Sequence, residues 1–130
     1  MKTLVVEDDY TSRLLMETLL QAYGECDCAI DGKSALEAFE KAKAGGRQYD
    51  LICLDIMMPK LDGQEVLRHI RTVEESEGVP PGRGVKIIMT TALGDPKNVI
   101  KAHYQICNAY MVKPIDGATL LNQIAAFGLI

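Results

Sequence analysis

Glu7 and Asp8, Asp55, Thr90 and Thr91, and Lys113 each stand directly after a short apolar run in this chain of 130 residues. The runs are Leu4-Val5-Val6, Leu51-Ile52-Cys53-Leu54, Ile87-Ile88-Met89 and Tyr110-Met111-Val112. If these runs lie parallel in one sheet, acids, a hydroxyl and an ammonium meet at one edge, as a site for a hard cation and a phosphoryl group requires. Two or three carboxylates crowded there repel one another and find relief by binding protons or a divalent cation. Donors that are all oxygen favour Mg²⁺, with Mn²⁺ or Ca²⁺ as substitutes; Mg²⁺ keeps several waters and bridges to phosphate oxygens, which suits a shallow site. An aspartate beside such a cation can attack phosphorus and become an aspartyl phosphate. Asp55 is the best placed to do so, because it ends a wholly apolar run where a lone charge needs a reason to be present. Lys113 can neutralise charge growing on the phosphoryl oxygens, and a threonine hydroxyl can donate to one of them.

Taken singly, each residue has a plainer explanation. Asp9 is best read as the N-cap of a helix that begins at Tyr10-Thr11-Ser12. Glu7 and Asp8 could be loop acids, Asp55 a solvated turn residue, Thr91 a strand-end hydroxyl bonded to backbone, and Lys113 a strand-end charge before Pro114. Met57 and Met58 could fill core space, like Met16, Met89 and Met111, and Tyr110 could be core as well. His69 and His103 fall in helical windows, away from the polar edge, and are read as surface or packing residues. What gives the acids, Thr91 and Lys113 weight is their coincidence at one edge. No Gly-x-Gly-x-x-Gly or Gly-Lys-Ser/Thr loop supports nucleotide binding.

The elements that must position these residues follow from period. Five β-type runs, Thr3–Val6, Cys26–Ile30, Leu51–Leu54, Val85–Met89 and Tyr110–Val112, each precede an amphipathic window. The expected buried stripes are Leu15, Leu19 and Ala22; Leu36, Phe39 and Ala42; Val66, Leu67, Ile70 and Val73; Ile100, Tyr104 and Cys107; and Leu120, Leu121 and Ile124. Asp31, Asp62 with Glu65 three residues on, Asp95 before Pro96, and Asp116 mark helix starts. Leu51–Leu54 is apolar on both faces and suits a central parallel strand, whereas Glu25–Ile30 alternates and suits an edge. Thr72–Gly84 reads as a helix end running into a long exposed loop. Five βα units make a single α/β domain over residues 1–130, an open doubly wound parallel sheet with helices on both faces. Ligands of such sheets sit at the carboxyl ends of the strands.

Composition agrees. With 48% hydrophobic and 25% charged residues the chain is one ordinary globular domain, able to hold a core without disulfides. A net charge of −4 argues against a nucleic-acid surface. No apolar stretch approaches the roughly 20 residues that span a bilayer. Cys26, Cys28, Cys53 and Cys107 lack Cys-x-x-Cys spacing and lie in apolar segments, so they are expected to be reduced core residues of a cytoplasmic protein.

These residues resemble the receiver domain of bacterial two-component response regulators, in particular the single-domain CheY-like kind. The marks are Leu4-Val5-Val6-Glu7-Asp8-Asp9 with Arg13, Leu51 to Pro59, Asp62-Gly63, Thr90-Thr91-Ala92, and Tyr110-Met111-Val112-Lys113-Pro114, and the likeness spans nearly the whole chain. It implies a flavodoxin-like sheet of order 2-1-3-4-5 with five helices. It implies Asp55 as phosphoacceptor, and Mg²⁺ held by Asp8 directly, Glu7 through water, Asp55 and the backbone carbonyl of Met57. It implies Thr91 rather than Thr90 as the switch hydroxyl, Lys113 as the phosphoryl-binding lysine and Tyr110 as the aromatic whose rotamer reports activation. Such domains take a phosphoryl group from a phosphohistidine on a histidine kinase or phosphotransfer protein, and catalyse only their own phosphorylation and dephosphorylation. Readout is expected through the fourth helix, fifth strand and fifth helix, roughly Pro96–Gly128, by an unidentified downstream protein, with the chain a monomer or weak homodimer.

Departures from the family pattern carry expectations of their own. Glu7 replaces the commoner aspartate, and the loop Gly78–Gly84 is longer than usual. Met57 and Leu93, two residues after the phosphoacceptor and after the switch threonine, are both apolar, which implies slow self-hydrolysis and a long-lived phosphorylated state. Nothing after Gly128 could bind DNA, so an output domain is expected on another polypeptide or removed from this one. One competing class is a receiver-like module whose partner needs no phosphorylation. Another is a metal-dependent phosphohydrolase, which would want Asp-x-Asp where Asp55-Ile56-Met57 lacks the second acid.

Overall fold

A computed structural model of the chain describes residues 1–58, 61–92 and 106–130. Its strands are β1 (Thr3–Val6), β2 (Cys26–Ala29), β3 (Leu51–Asp55), β4 (Lys86–Thr91) and β5 (Ala109–Val112). They form one parallel sheet in the order β2-β1-β3-β4-β5. The α-helices are α1 (Tyr10–Leu20), α2 (Gly32–Ala44), α3 (Gly63–Ser76) and α4 (Gly117–Ala126), with a short 3₁₀ turn at Gln21–Tyr23. α4 is the helix expected as the fifth. The residues expected to make the fourth, with Asp95, Ile100 and Tyr104, lie outside the described residues, as do Leu93 and His103.

Side chains alternate across each strand, so the sheet builds two cores. On one face Leu4, Val6, Ile52, Leu54, Ile87 and Met89 meet Phe39 of α2 and Val66, Leu67 and Ile70 of α3. On the other, Val5, Leu51, Cys53 and Ile88 meet Met16 and Leu20 of α1 and Leu120 and Ile124 of α4. Each fully buried Leu or Ile contributes about 1.5–3 kcal/mol. β3 is buried along its whole length, as a central parallel strand must be.

Four aspartates start the helices by accepting from a backbone N–H three residues on: Asp9 from Ser12, Asp31 from Ser34, Asp62 from Glu65 and Asp116 from Thr119, at 2.8–3.0 Å. Only Asp31 and Ser34 close a reciprocal capping box. The stripes of α2, α3 and α4 fall as expected. That of α1 does not: Leu15 is 58% exposed and Ala22 is exposed, while Met16 and Leu20 are buried. The helix is rotated by one position because Leu15 with Leu19 and Met16 with Leu20 are both apolar pairs four residues apart, and the sheet takes the second pair while Leu19 packs only partly against it. Cys28 is also a correction: on edge strand β2 the residue is exposed rather than core, and its thiol donates to Glu17 at 3.2 Å. Tyr110, allowed as core, is 44% exposed.

The long loop after α3 is anchored by Arg71. Its guanidinium donates to the carbonyls of Ile106 and Val85, to Asn108 Oδ1 and to Glu74 Oε1, at 2.7–2.9 Å. Asn108 Oδ1 also accepts from Ile87 N–H at 2.8 Å, so α3, the start of β4 and the turn into β5 are tied together at the amino ends of the strands.

Candidate functional site

The carboxyl ends of β1, β3, β4 and β5 converge because every crossover between these parallel strands returns the chain to the same starting edge. β3 delivers Asp55, in register with Thr90 of β4, and both are buried. The Ile56 N–H donates to the Thr90 carbonyl at 3.0 Å, and the Met57 N–H donates to Asp55 Oδ1 at 3.2 Å. β1 continues through Glu7, whose N–H donates to the Ala29 carbonyl at 3.0 Å. Glu7 Oε2 accepts from the Asp9 N–H at 3.2 Å. Arg13 reaches back from α1 and donates to the carbonyls of Glu7 and Asp8, at 3.0 and 3.4 Å. β5 delivers Lys113, whose N–H donates to the Thr91 carbonyl at 2.7 Å. The Lys113-Pro114 peptide is cis.

Lys113 Nζ lies between two carboxylates. It donates to Asp55 Oδ2 at 3.1 Å and is ion-paired with Glu7 Oε1. Glu7 and Asp55 are each only 4% exposed, whereas Asp8 is exposed. Burial pushes the Glu7 carboxyl above its ordinary range; the neighbouring Asp55 adds to this, and Lys113 opposes it. Burial alone would lower Lys113, but its hydrogen bonds to Glu7 and Asp55 outweigh this and hold it above its ordinary value. Lys113 is therefore a firmly held ammonium.

One ammonium does not balance three carboxylates. Oxygens of Glu7, Asp8 and Asp55 all lie within 4.8 Å of one another, the one such group of potential metal ligands among the described residues. An all-oxygen set with surplus negative charge, two members buried and one open to solvent, fits a hard divalent cation that keeps part of its water shell. A cavity of about 70 Å³ beside it is lined by Glu7, Thr90 and Lys113 on the polar side and by Leu15, Met16 and Cys53 on the apolar side.

The expected residues thus gather, with different surroundings. Thr90 sits opposite Asp55, and Thr91, buried, donates to the Ala92 carbonyl at 3.4 Å. Thr91 and Tyr110 share a face of the sheet, since Met89 pairs with Tyr110 and Thr91 with Val112. Met57 is 60% exposed beside Asp55, and Met58 is buried. His69 is exposed on α3, 4.0 Å from Glu40 and outside the site. Arg13 and Gly63, marks of the resemblance that sequence reasoning left without a role, hold the β1–α1 and β3–α3 connections through contacts to backbone carbonyls. Sequence reasoning also did not foresee that Lys113 bridges Glu7 and Asp55.

Comparison with known proteins gives a consistent result. The model of the response regulator receiver domain matches residues 3–125. The chain is 39% identical over 124 residues to the probable transcriptional regulator ycf27 of Cyanophora paradoxa, covering 95% of this chain and 46% of that protein. It is 32% identical over 123 residues to regulatory protein VanRB of Enterococcus faecalis, covering 95% and 50%. It spans about half the length of the curated relatives it matches. Among solved structures, the receiver domain of the histidine kinase CKI1 from Arabidopsis thaliana, complexed with Mg²⁺ and BeF₃⁻, is 28% identical with a TM-score of 0.77, covering 98% of this chain and 89% of that one. A receiver domain protein from Clostridium thermocellum is 26% identical with a TM-score of 0.78, covering 97% and 92%.

Proposed function

This chain belongs to the response regulator receiver domain family, and from that premise we propose that Asp55 accepts a phosphoryl group from a phosphohistidine on a histidine kinase or phosphotransfer protein. The observation that carries the reading is the placement of Asp55: buried at the end of the central strand, hydrogen-bonded by Lys113, inside a group of three carboxylates. In the step, an Asp55 carboxylate oxygen attacks phosphorus, the P–N bond to the donor imidazole breaks, and the imidazole leaves with that electron pair and takes up a proton. The chain's own groups do the positioning. The Met57 N–H fixes one Asp55 oxygen and Lys113 the other, and the Lys113 ammonium stands where charge on the phosphoryl oxygens needs a partner. Burial of Glu7 and Asp55 limits the water that competes with the nucleophile.

Glu7, Asp8, Asp55 and the Met57 carbonyl would hold Mg²⁺, which when bound neutralises charge shared between the carboxylates and the phosphoryl group. Mn²⁺ or Ca²⁺ would serve the same donors. The domain acts as a signalling phosphoacceptor that catalyses only its own phosphorylation and dephosphorylation. Phosphate on Asp55 would draw Thr91 inward and change the space open to Tyr110 on the shared face, altering the surface around β5 and α4 that a downstream protein reads. A cytoplasmic setting agrees with the unbridged thiols of Cys26, Cys28 and Cys53 and with the finding that no described helix is long and apolar enough to cross a membrane.

Intact-mass measurement after incubation with acetyl phosphate and Mg²⁺ tests the reading. The wild type should gain the mass of one phosphoryl group and Asp55→Asn should gain none. Equal gain in both would remove Asp55 from its role, and partner binding unchanged by Asp55→Asn and by phosphodonor would favour a phosphorylation-independent module.

A further inference from the structure

The connection from β3 to α3 carries both Asp55 and the Met57 carbonyl, so whatever fixes its path fixes the site. α3 begins at Gly63, capped by Asp62. A methyl group built on Gly63 would lie 2.1 Å from the Asp55 carbonyl oxygen, 2.9 Å from its carbonyl carbon and 2.9 Å from the Ile56 Cα, all closer than real Cβ contacts. These neighbours are backbone atoms at the end of the buried central strand and of the residue just past it, which cannot swing aside as a side-chain end can. The same glycine donates its N–H to the Ile56 carbonyl at 3.0 Å, while the Ile56 N–H donates to the Thr90 carbonyl at 3.0 Å. The Ile56 backbone is thus held from both sides, by α3 and by β4, immediately between the nucleophile and the residue whose carbonyl would face the cation.

We infer that Gly63 is a positioning residue whose missing side chain lets α3 seat directly against the Asp55 main chain and so sets the geometry of Asp55 and the Met57 carbonyl, an inference that rests on reading Asp55 as the phosphoacceptor. Any side chain at 63 must push this contact apart. Displacement on the order of 1 Å at a nucleophile costs about 100-fold in rate, and the same displacement moves a carboxylate and a carbonyl away from a cation that tolerates little departure from octahedral geometry.

A second glycine supplies a comparison away from the site. A methyl on Gly84 would lie 2.2 Å from the Glu74 carboxylate, the movable end of a side chain rather than backbone, and Gly84 precedes β4 at the amino ends of the strands. Gly63→Ala and Gly84→Ala are compared with the wild type by circular dichroism, by calorimetric titration with Mg²⁺ alone and by the rate of phosphorylation from acetyl phosphate. Gly63→Ala is expected to keep its helix signal, bind Mg²⁺ at least about fivefold more weakly and take up phosphate at least about tenfold more slowly. Gly84→Ala should stay within about twofold of the wild type on both counts. Gly63→Ala within twofold of the wild type in both Mg²⁺ affinity and rate overturns the inference. If Gly63→Ala does not fold, hydrogen exchange of the wild type decides: protection of the Gly63 amide should rise severalfold when Mg²⁺ is added, and unchanged protection overturns the inference. A wild type that takes up no phosphoryl group strikes the reading of Asp55 instead, whereas normal wild-type uptake matched by Gly63→Ala strikes Gly63 alone.

Discussion

Lys113 stabilises the resting site by standing between two buried acids, and its removal shows what that costs. Lys113→Met should destabilise the protein by about 2–3 kcal/mol at neutral pH without divalent cation, less than a fully buried pair because Lys113 keeps some solvent contact. Because Glu7 already has a raised pKa, the folded state holds its proton more tightly than the unfolded state does. The penalty of Lys113→Met therefore shrinks as pH falls toward the ordinary carboxylate range and grows as pH rises. Urea unfolding at two pH values in chelator checks this, and a variant as stable as the wild type at neutral pH would contradict it. Thr3 is the opposite case: its buried hydroxyl has no hydrogen-bond partner. Thr3→Val should raise stability by about 1 kcal/mol in the same unfolding assay, with loss of stability the contrary result. Cys28 is exposed yet unreactive by expectation, since burial of its sulfur and the Glu17 carboxylate push its thiol up to about 12. Alkylation near pH 8 should be slower than for a free thiol and faster in Glu17→Gln; equal rates would exclude the Glu17 effect.

The elements were legible where period and chemistry agreed. Leu51–Leu54 reads as a central strand because it is apolar on both faces, and Asp31, Asp62 and Asp116 read as caps because little else suits an aspartate before an amphipathic window. α1 misled because Leu15 with Leu19 and Met16 with Leu20 make two neighbouring apolar stripes, and only contact with the sheet chooses between them. The Arg71 anchor was not legible, because its partners are carbonyls and Asn108, which sequence does not connect. Arg71→Ala should cost about 2–4 kcal/mol by leaving those groups unpaired. It should leave phosphorylation of Asp55 within about twofold of the wild type, since the anchor lies at the far edge of the sheet. A large loss of rate with little loss of stability would contradict that placement. Asp31→Ala, which breaks the one complete capping box among the described residues, should cost about 1 kcal/mol.

At the scale of the whole molecule, the parallel topology turns scattered residues into a site. Residues 7, 55, 90 and 113 are far apart in the chain, and only the order β2-β1-β3-β4-β5 puts their strand ends side by side. That convergence was readable from the sequence because ligands of such sheets occupy the carboxyl edge. How tightly the acids and Lys113 pair was not readable, since it depends on burial. The central claim is that this convergence makes one nucleophile. Borohydride reduces an acyl phosphate to an alcohol, so a chain phosphorylated with acetyl phosphate and Mg²⁺, then reduced and digested, reports its acceptor as homoserine in the peptide mass spectrum. Homoserine at position 55 alone is the result predicted; an unreduced Asp55 with the modification at Glu7, Asp8 or a histidine would contradict it.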